Sequence, residues 1–269
     1  MNLIVSQLYV YPVKSLAGIS LSASLVTDRG LLHDRRWMLV DTDNQFLTIR
    51  EYPLMTRLQP VLTDTGLIIK ALSSDEEIHI LFGSELEETS SVTIWNATVE
   101  AKNYSQNINN WFSDKLGTSC KLVFMPESSL RPVDTTSGYN PTGKLTSFAD
   151  AYPFLLLSEA SIQDLDSRCS MIISAARFRP NIIFSGSEPY FEDSLGHFSI
   201  NGVNFEGLEN CARCGIPNVD PDTGILNAQK EPLRTLSKYK LKNKNIEFGR
   251  NTVHSNTGQI KVGDTLELK

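Results

Sequence analysis

A chain of 269 residues with 41% hydrophobic and 21% charged residues has room for one large or two modest folded domains, and this composition excludes general disorder. A net charge of −6 excludes a broad basic surface of the kind that binds nucleic acid, although local basic clusters leave a small anionic ligand open. No apolar run reaches about 18 residues, so neither a membrane span nor a membrane partner is expected.

The predicted elements begin with Met1 to Val10, which alternates apolar and polar residues and reads as a strand rather than a signal peptide. Cytoplasmic location is expected, with reduced thiols at Cys120, Cys169, Cys211 and Cys214. LIVSQLYVYPVKSL gives a strand entering a Pro-containing turn. RRWMLVDTDNQFLTIR gives two strands around the turn cluster Thr42-Asp43-Asn44, and LQPVLTDTGLIIKAL two more around Asp64-Thr65-Gly66. SVTIWNATVEA is a short strand pair or a bent strand. Residues 104–117 change period: Ile108, Trp111, Phe112 and Leu116 fall at helical spacing, with Gly117 as the stop. Residues 126–147 are rich in Ser, Thr, Pro and Gly and read as a long loop, a candidate wall for a substrate pocket. A buried strand in YPFLLLS then runs into a helix capped by Ser158 and lasting to Cys169. RFRPNIIFSG is a strand, HFSINGVNFEGL a hairpin about Asn201-Gly202, and TGQIKVGDTLELK two closing strands.

Chemistry concentrates in ENCARCGIPNVDPDTG. The pair Cys211-x-x-Cys214 is open to three readings. A zinc knuckle needs four ligands, usually two such pairs, and His197 and His254 are not spaced as a second pair. A thioredoxin-like redox pair belongs at a helix start in a βαβ unit. The third reading is one working thiolate, Cys214, beside a structural Cys211; Arg213 adjoins Cys214, and a nearby cation favours the thiolate that binds soft metals. VDPDTG is a tight turn with too few oxygens for a calcium loop. In ARFRPNI, residues Arg177, Arg179 and Asn181 stand at alternate positions. On a strand they share one face, a fork-rich site for phosphate or carboxylate. YPVKS brings Lys14 and Ser15, and HDRRW brings Arg35 at a strand start. With them an acidic protein gains a basic pocket.

In this order the pieces resemble the MOSC superfamily, named for the C-terminal domain of molybdenum cofactor sulfurase. The likeness is greater to the branch with an N-terminal β-barrel domain, which includes the mitochondrial amidoxime-reducing component and its bacterial relatives. YPVKS, DRRW, FADAYPFLLLSEASIQDLDSR, FRPNI, CARC…VDPDTG, KEPLRTL and TGQIKVGD spread the resemblance over nearly the whole chain. It implies a mainly β fold with some α: an N-terminal β-barrel-like domain over residues 1–100, a helical connection over 101–125 and a MOSC β-barrel domain over 126–269. It implies a molybdenum cofactor, molybdopterin with its metal, ligated by Cys214; pyridoxal phosphate is not expected. Arg179 and Asn181 then look like pterin or phosphate contacts, Lys14, Ser15 and Arg35 like the N-terminal contribution, Asp150 like a neighbour of the cofactor, and Ala212 and Arg213 like backbone neighbours of the metal. The implied activity is a reductase that takes oxygen from the nitrogen of N-hydroxylated bases, amidoximes or hydroxylamines. The cysteines lack C-x₄-C-x₂-C spacing, so electrons are expected from a separate protein, a flavoprotein reductase or a ferredoxin. Two other roles fit the same resemblance: a sulfur carrier with a persulfide on Cys214, and a carrier of molybdopterin that turns nothing over.

Overall fold

The computed structural model describes residues 2–84, 86–133 and 141–269. Its organising element is the first strand, Ile4–Val10, in which Val5, Leu8 and Val10 are fully buried. This strand belongs to the C-terminal half. It pairs antiparallel with Ile182–Ser185, which lies parallel to Phe154–Ser158. The sheet continues through Asn245–His254, Val203–Ala212, His197–Ile200 and Leu266–Leu268. It then returns to its start, because Val5 N–H donates to Asp264 O at 2.9 Å and Leu266 N–H to Leu3 O at 2.8 Å. The seven strands thus close on themselves and leave no free edge along the seam. Leu8, Phe154, Leu156, Ile182, Phe198 and Phe205 pack inside, with the rings of Phe198 and Phe205 stacked 5.2 Å apart. The parallel pair in this barrel needs a crossover, and the helix Glu159–Arg168 opens it; Ser158 caps that helix by accepting from Ser161 N–H at 3.0 Å.

The N-terminal half is a second β-rich body. Trp37–Val40, Lys121–Phe124, Ala97–Tyr104 and Leu86–Ile94 form a four-stranded sheet, and Leu58–Leu62, Gly66–Ala71 and Glu76–Leu81 a three-stranded one. Trp37, Leu39, Ile69, Ile80, Phe112 and Leu122 pack in the core of this half, and the Trp37 indole N–H donates to the Tyr104 hydroxyl at 3.0 Å. The helix Gln106–Leu116 buries Ile108, Phe112 and Leu116 and stops at Gly117, which takes the left-handed conformation. Lys121–Phe124 hydrogen-bonds between Trp37–Val40 and Ala97–Tyr104, so residues 101–125 fold into this half. No helix among the described residues is long and apolar enough to cross a membrane.

Several sequence expectations appear as read: the pair Leu58–Leu62 and Gly66–Ala71, the pair around Trp95 and Asn96, and the hairpin at Asn201-Gly202, where both residues have positive φ. Others differ. After Asp43 the expected second strand reduces to bridges at Gln45 and Phe46. Arg177 and Arg179 do not lie on a strand. Ala175–Phe178 is a 3₁₀ turn, Arg179 has φ of +57°, and the strand begins only at Ile182. Proline at 180 disfavours helical backbone before it, and the chain reverses there instead of extending. Arg35 likewise precedes its strand, in a left-handed turn with φ of +46°.

One glycine measures the barrel seam. Gly186 has φ of +87°, and a Cβ there would stand 2.0 Å from Asn2 O, on backbone that cannot yield without moving the first strand. Gly186→Ala is expected to lower stability by more than about 1 kcal/mol. A fall in the urea midpoint checks this, and the loss should exceed that of Gly83→Ala, where φ is +69° but nothing lies within 4 Å.

Candidate functional site

Between the mouth of the barrel and the N-terminal half lies a cleft of about 240 Å³. Lys14, Ser15, Arg35, Asp150, Arg179, Asn181, Ala212, Arg213 and Cys214 all line it. The structure therefore brings the whole sequence-derived set to one place. Arg177 is not among them. Its buried guanidinium donates to the carbonyls of Pro217 and Val219 and pairs with Asp220 at 2.5 Å, which pins the loop that follows Cys214.

The cleft is built around Tyr11. The chain leaves the first strand there, and Tyr11 N–H donates to the buried Asp34 carboxylate at 2.9 Å. The guanidinium carbons of Arg35 and Arg179 stand 4.2 and 4.3 Å from its ring centroid. Arg35 donates to Asp34 at 2.6 Å, to the Asn181 side-chain oxygen at 3.2 Å and to Arg179 O at 3.2 Å. Asn181 is fully used as a brace: its oxygen also accepts from Leu155 N–H, and its amide donates to Tyr9 O. Arg179 is different. Its Nη2 is buried and has no hydrogen-bond partner. Burial and the neighbouring Arg35 lower its pKa to about 10, which still leaves it charged at neutral pH.

Lys14 is buried, donates to Phe148 O at 3.1 Å and forms an ion pair with Asp150. Burial pushes the Lys14 ammonium down, with the Asp150 charge opposing. Burial pushes Asp150 up, but Lys14, the Trp95 N–H and Arg35 outweigh it and hold the carboxyl well below the usual carboxylate range. Ser15 has φ of +70° and donates its hydroxyl to Leu47 O at 3.4 Å. Five cationic side chains line the cleft (Lys14, Arg35, Arg50, Arg179 and Arg213) against two acidic ones, Asp150 and Glu209. An acidic protein thus holds a locally basic hollow.

The cysteine pair occupies the end of Val203–Ala212. Cys214 is exposed, and Cys211 is half-buried. The Arg213 guanidinium does not face Cys214, as adjacency in sequence suggests. It donates to Cys211 Sγ at 3.1 Å and to Phe178 O at 2.9 Å. Burial pushes the Cys211 thiol up, and Arg213 only partly offsets this. Cys211 is therefore a protonated neighbour at neutral pH, and Cys214 is the accessible sulfur. All four cysteines are free, and among the described residues no group of three or more His, Cys, Asp or Glu gathers as a metal cage. The zinc-knuckle reading has no ligand set. The thioredoxin-like reading has no βαβ unit, since the pair leaves an antiparallel strand and enters the 3₁₀ turn Ile216–Asn218.

Sequence reasoning missed the aromatic side of the cleft, Phe46 and Trp95, with Arg50 beside them. The signal was a tryptophan at a hairpin tip, a place that burial does not explain. Of the loop 126–147, described residues 126–133 and 141–147 do not line the cleft; residues 134–140 lie outside the described residues. Buried Arg131 instead ties the loop down, donating to the carbonyls of Ser147, Ala149 and Asp150.

Two family models match this chain: the MOSC N-terminal beta barrel domain over residues 2–119 and the MOSC domain over residues 144–267. Mitochondrial amidoxime-reducing component 1 of Mus musculus is 32% identical over 278 residues, 98% of this chain and 82% of that protein. The same component of Homo sapiens is 32% identical, again with 98% and 82% covered. Molybdenum cofactor sulfurase of Solanum lycopersicum is 32% identical over 96% of this chain but only 35% of its own length. With both domains matched in order along nearly its whole length, the chain belongs to the MOSC family, in the branch that carries the N-terminal β-barrel domain.

Proposed function

We propose that this protein binds molybdenum cofactor in the cleft and reduces N-hydroxylated compounds. The observation that carries this reading is the pairing of an exposed thiol, Cys214, with a buried guanidinium nitrogen, Arg179 Nη2, that has no partner within the protein. An unpaired buried donor costs about 1–3 kcal/mol unless a ligand satisfies it. Lys14, Arg35 and Arg179 suit an anionic phosphate, and a soft thiolate suits a metal already held by sulfurs. The residues present thus fit the group. The names of the mammalian relatives support the amidoxime-reducing activity.

When bound, the cofactor would supply two-electron redox chemistry. The net reaction is R–NHOH + 2 e⁻ + 2 H⁺ → R–NH₂ + H₂O, with electrons from a separate flavoprotein reductase or ferredoxin. The protein's own contribution is positional. Cys214 would ligate the metal, and Arg179 and Lys14 would hold the phosphate; Arg35 and Asn181 set the angle of Arg179 through its backbone carbonyl and the adjoining strands. Asp150 stays ionised beside Lys14, so it orients its neighbours and is not a proton donor at neutral pH. The tomato relative supports a second reading, in which Cys214 carries sulfur as a persulfide.

Two outcomes are expected from protein purified out of a cofactor-competent host. Elemental mass spectrometry should find near-stoichiometric molybdenum in wild type and in Cys211→Ala, and little in Cys214→Ala. Equal loss in both variants would favour a paired-cysteine site. Absence of metal in wild type, under conditions that fill a control molybdoenzyme, would sink the proposal and promote the persulfide carrier. Arg179→Ala should retain cofactor at least roughly tenfold less well, read by released pterin fluorescence, and Arg179→Lys should recover only part, since an ammonium cannot reproduce the planar fork. Unchanged retention would move the phosphate elsewhere.

A further inference from the structure

Trp95 occupies a position that favours a different residue. The strands Leu86–Ile94 and Ala97–Tyr104 pair Ile94 with Ala97, which leaves Trp95 and Asn96 as a two-residue turn. Trp95 has φ of +53°, in the left-handed region where glycine or asparagine is usual and a bulky side chain is strained. Burial does not repay that strain, because the side chain remains 42% exposed. Strain held at a residue that stays this exposed points to a function beyond core packing.

The surroundings fix how the ring is presented. Its indole N–H donates to Asp150 at 3.2 Å, and this carboxylate is itself anchored by Lys14. Phe46 packs against it with centroids 5.0 Å apart and planes at 54°. The exposed Arg50 places its guanidinium 4.8 Å from the ring centroid. The turn is tied down as well, for Thr93 N–H donates to Asn44 O at 2.9 Å. A large indole is thus held at a set angle in the wall of the same cleft that contains Cys214. Its exposed π surface offers no hydrogen-bond code. It rewards a flat, polarisable partner, and an edge or cation edge above all.

We propose that Trp95 is a specificity-determining residue of this cleft, a stacking wall that favours substrates whose N-hydroxy group is conjugated to an aromatic ring over saturated substrates of the same size. The assignment rests on the reductase reading for its substrate and on Trp95 geometry for its selectivity, and the two fail separately. Phe46 and Arg50 brace the indole against the cleft wall. Asp150 acts here as a positioning residue, since it fixes the ring through the indole N–H.

The test compares benzamidoxime with cyclohexanecarboxamidoxime, which share the reacting group and differ in the π face. Calorimetry on the purified protein should show roughly fivefold tighter binding of the aryl compound in wild type, the effect of one aromatic contact. Trp95→Leu should bring that ratio to about one, and Trp95→Phe should keep most of it. Trp95→Gly relieves the backbone strain, so it should lose the preference while melting no lower than Trp95→Leu. Steady-state kinetics with an artificial electron donor should show the same collapse in the ratio of kcat/KM. A ratio that persists in Trp95→Leu, or no aryl preference in wild type, overturns the assignment of Trp95. Selective binding without turnover of either compound upholds Trp95 and overturns the reductase reading.

Discussion

The guanidinium of Arg35 holds the two halves of the molecule in register. It comes from a turn of the N-terminal half, yet its donors reach Asn181 and the carbonyl of Arg179, both in the barrel half, while Asp34 balances its charge. Holding a cation out of water is costly without partners, and here a carboxylate, an amide oxygen and a carbonyl accept from it. Tyr11 completes the joint by offering its ring to both Arg35 and Arg179. The positive φ at Arg35 and at Arg179 follows from the same demand, because each backbone must turn sharply for its side chain to arrive. The cleft is what remains open once that joint is made.

Electrostatics inside the cleft divides the labour among groups of one kind. Three arginines lie together, but their roles differ by what they already touch. Arg35 is tied to Asp34, Asn181 and the Arg179 carbonyl; Arg213 donates to Cys211 and Phe178 but leaves its buried Nε without a partner, and Arg179 leaves its Nη2 so. The same logic separates the cysteines. Cys211 is kept neutral by burial, and Cys214 is exposed, so one motif yields one structural and one available sulfur. Asp150 is the ion-pair partner that opposes the cost of burying Lys14.

Much of this was legible in the sequence, and the failures have identifiable causes. Turn chemistry located the Asn201-Gly202 hairpin, and the Ser158 cap located a helix start. The site residues could be collected because motifs mark them locally, whatever their distance in space. The alternate spacing of Arg177, Arg179 and Asn181 misled, since a period of two has meaning only on a strand, and Pro180 had already broken the strand. Adjacency misled for Arg213, whose side chain follows backbone direction away from Cys214. The central strand Asn245–His254 was missed altogether. Its polar Asn245, Glu247, Arg250 and Asn251 hide the period, and it carries a Gly249 with φ of +87° whose missing side chain leaves room for Leu155 and Leu157. Trp95 was missed because nothing in its neighbours marks a strained turn.

The strand Ile4–Val10 seals a barrel whose other strands lie far behind it in sequence. Two of its partners, Ile182–Ser185 and residues 263–266, lie far along the chain and are made long after it, whereas Ile19–Leu21 follows close behind. Before those two are made, Ile4–Val10 has a local partner only for Leu8, Tyr9 and Val10, which pair with Ile19–Leu21, and the rest of the strand must wait for the barrel half. Contacts of such sequence separation make for high contact order and slow closure. An exposed strand that waits this long is also a template for wrong pairing between nascent chains. The two halves are therefore consecutive in sequence but not in assembly. A gene cut between them would leave the barrel with an open seam, and a circular permutant that moves Ile4–Val10 behind Lys269 would give the barrel its closing strand in cis, at the end where it is needed.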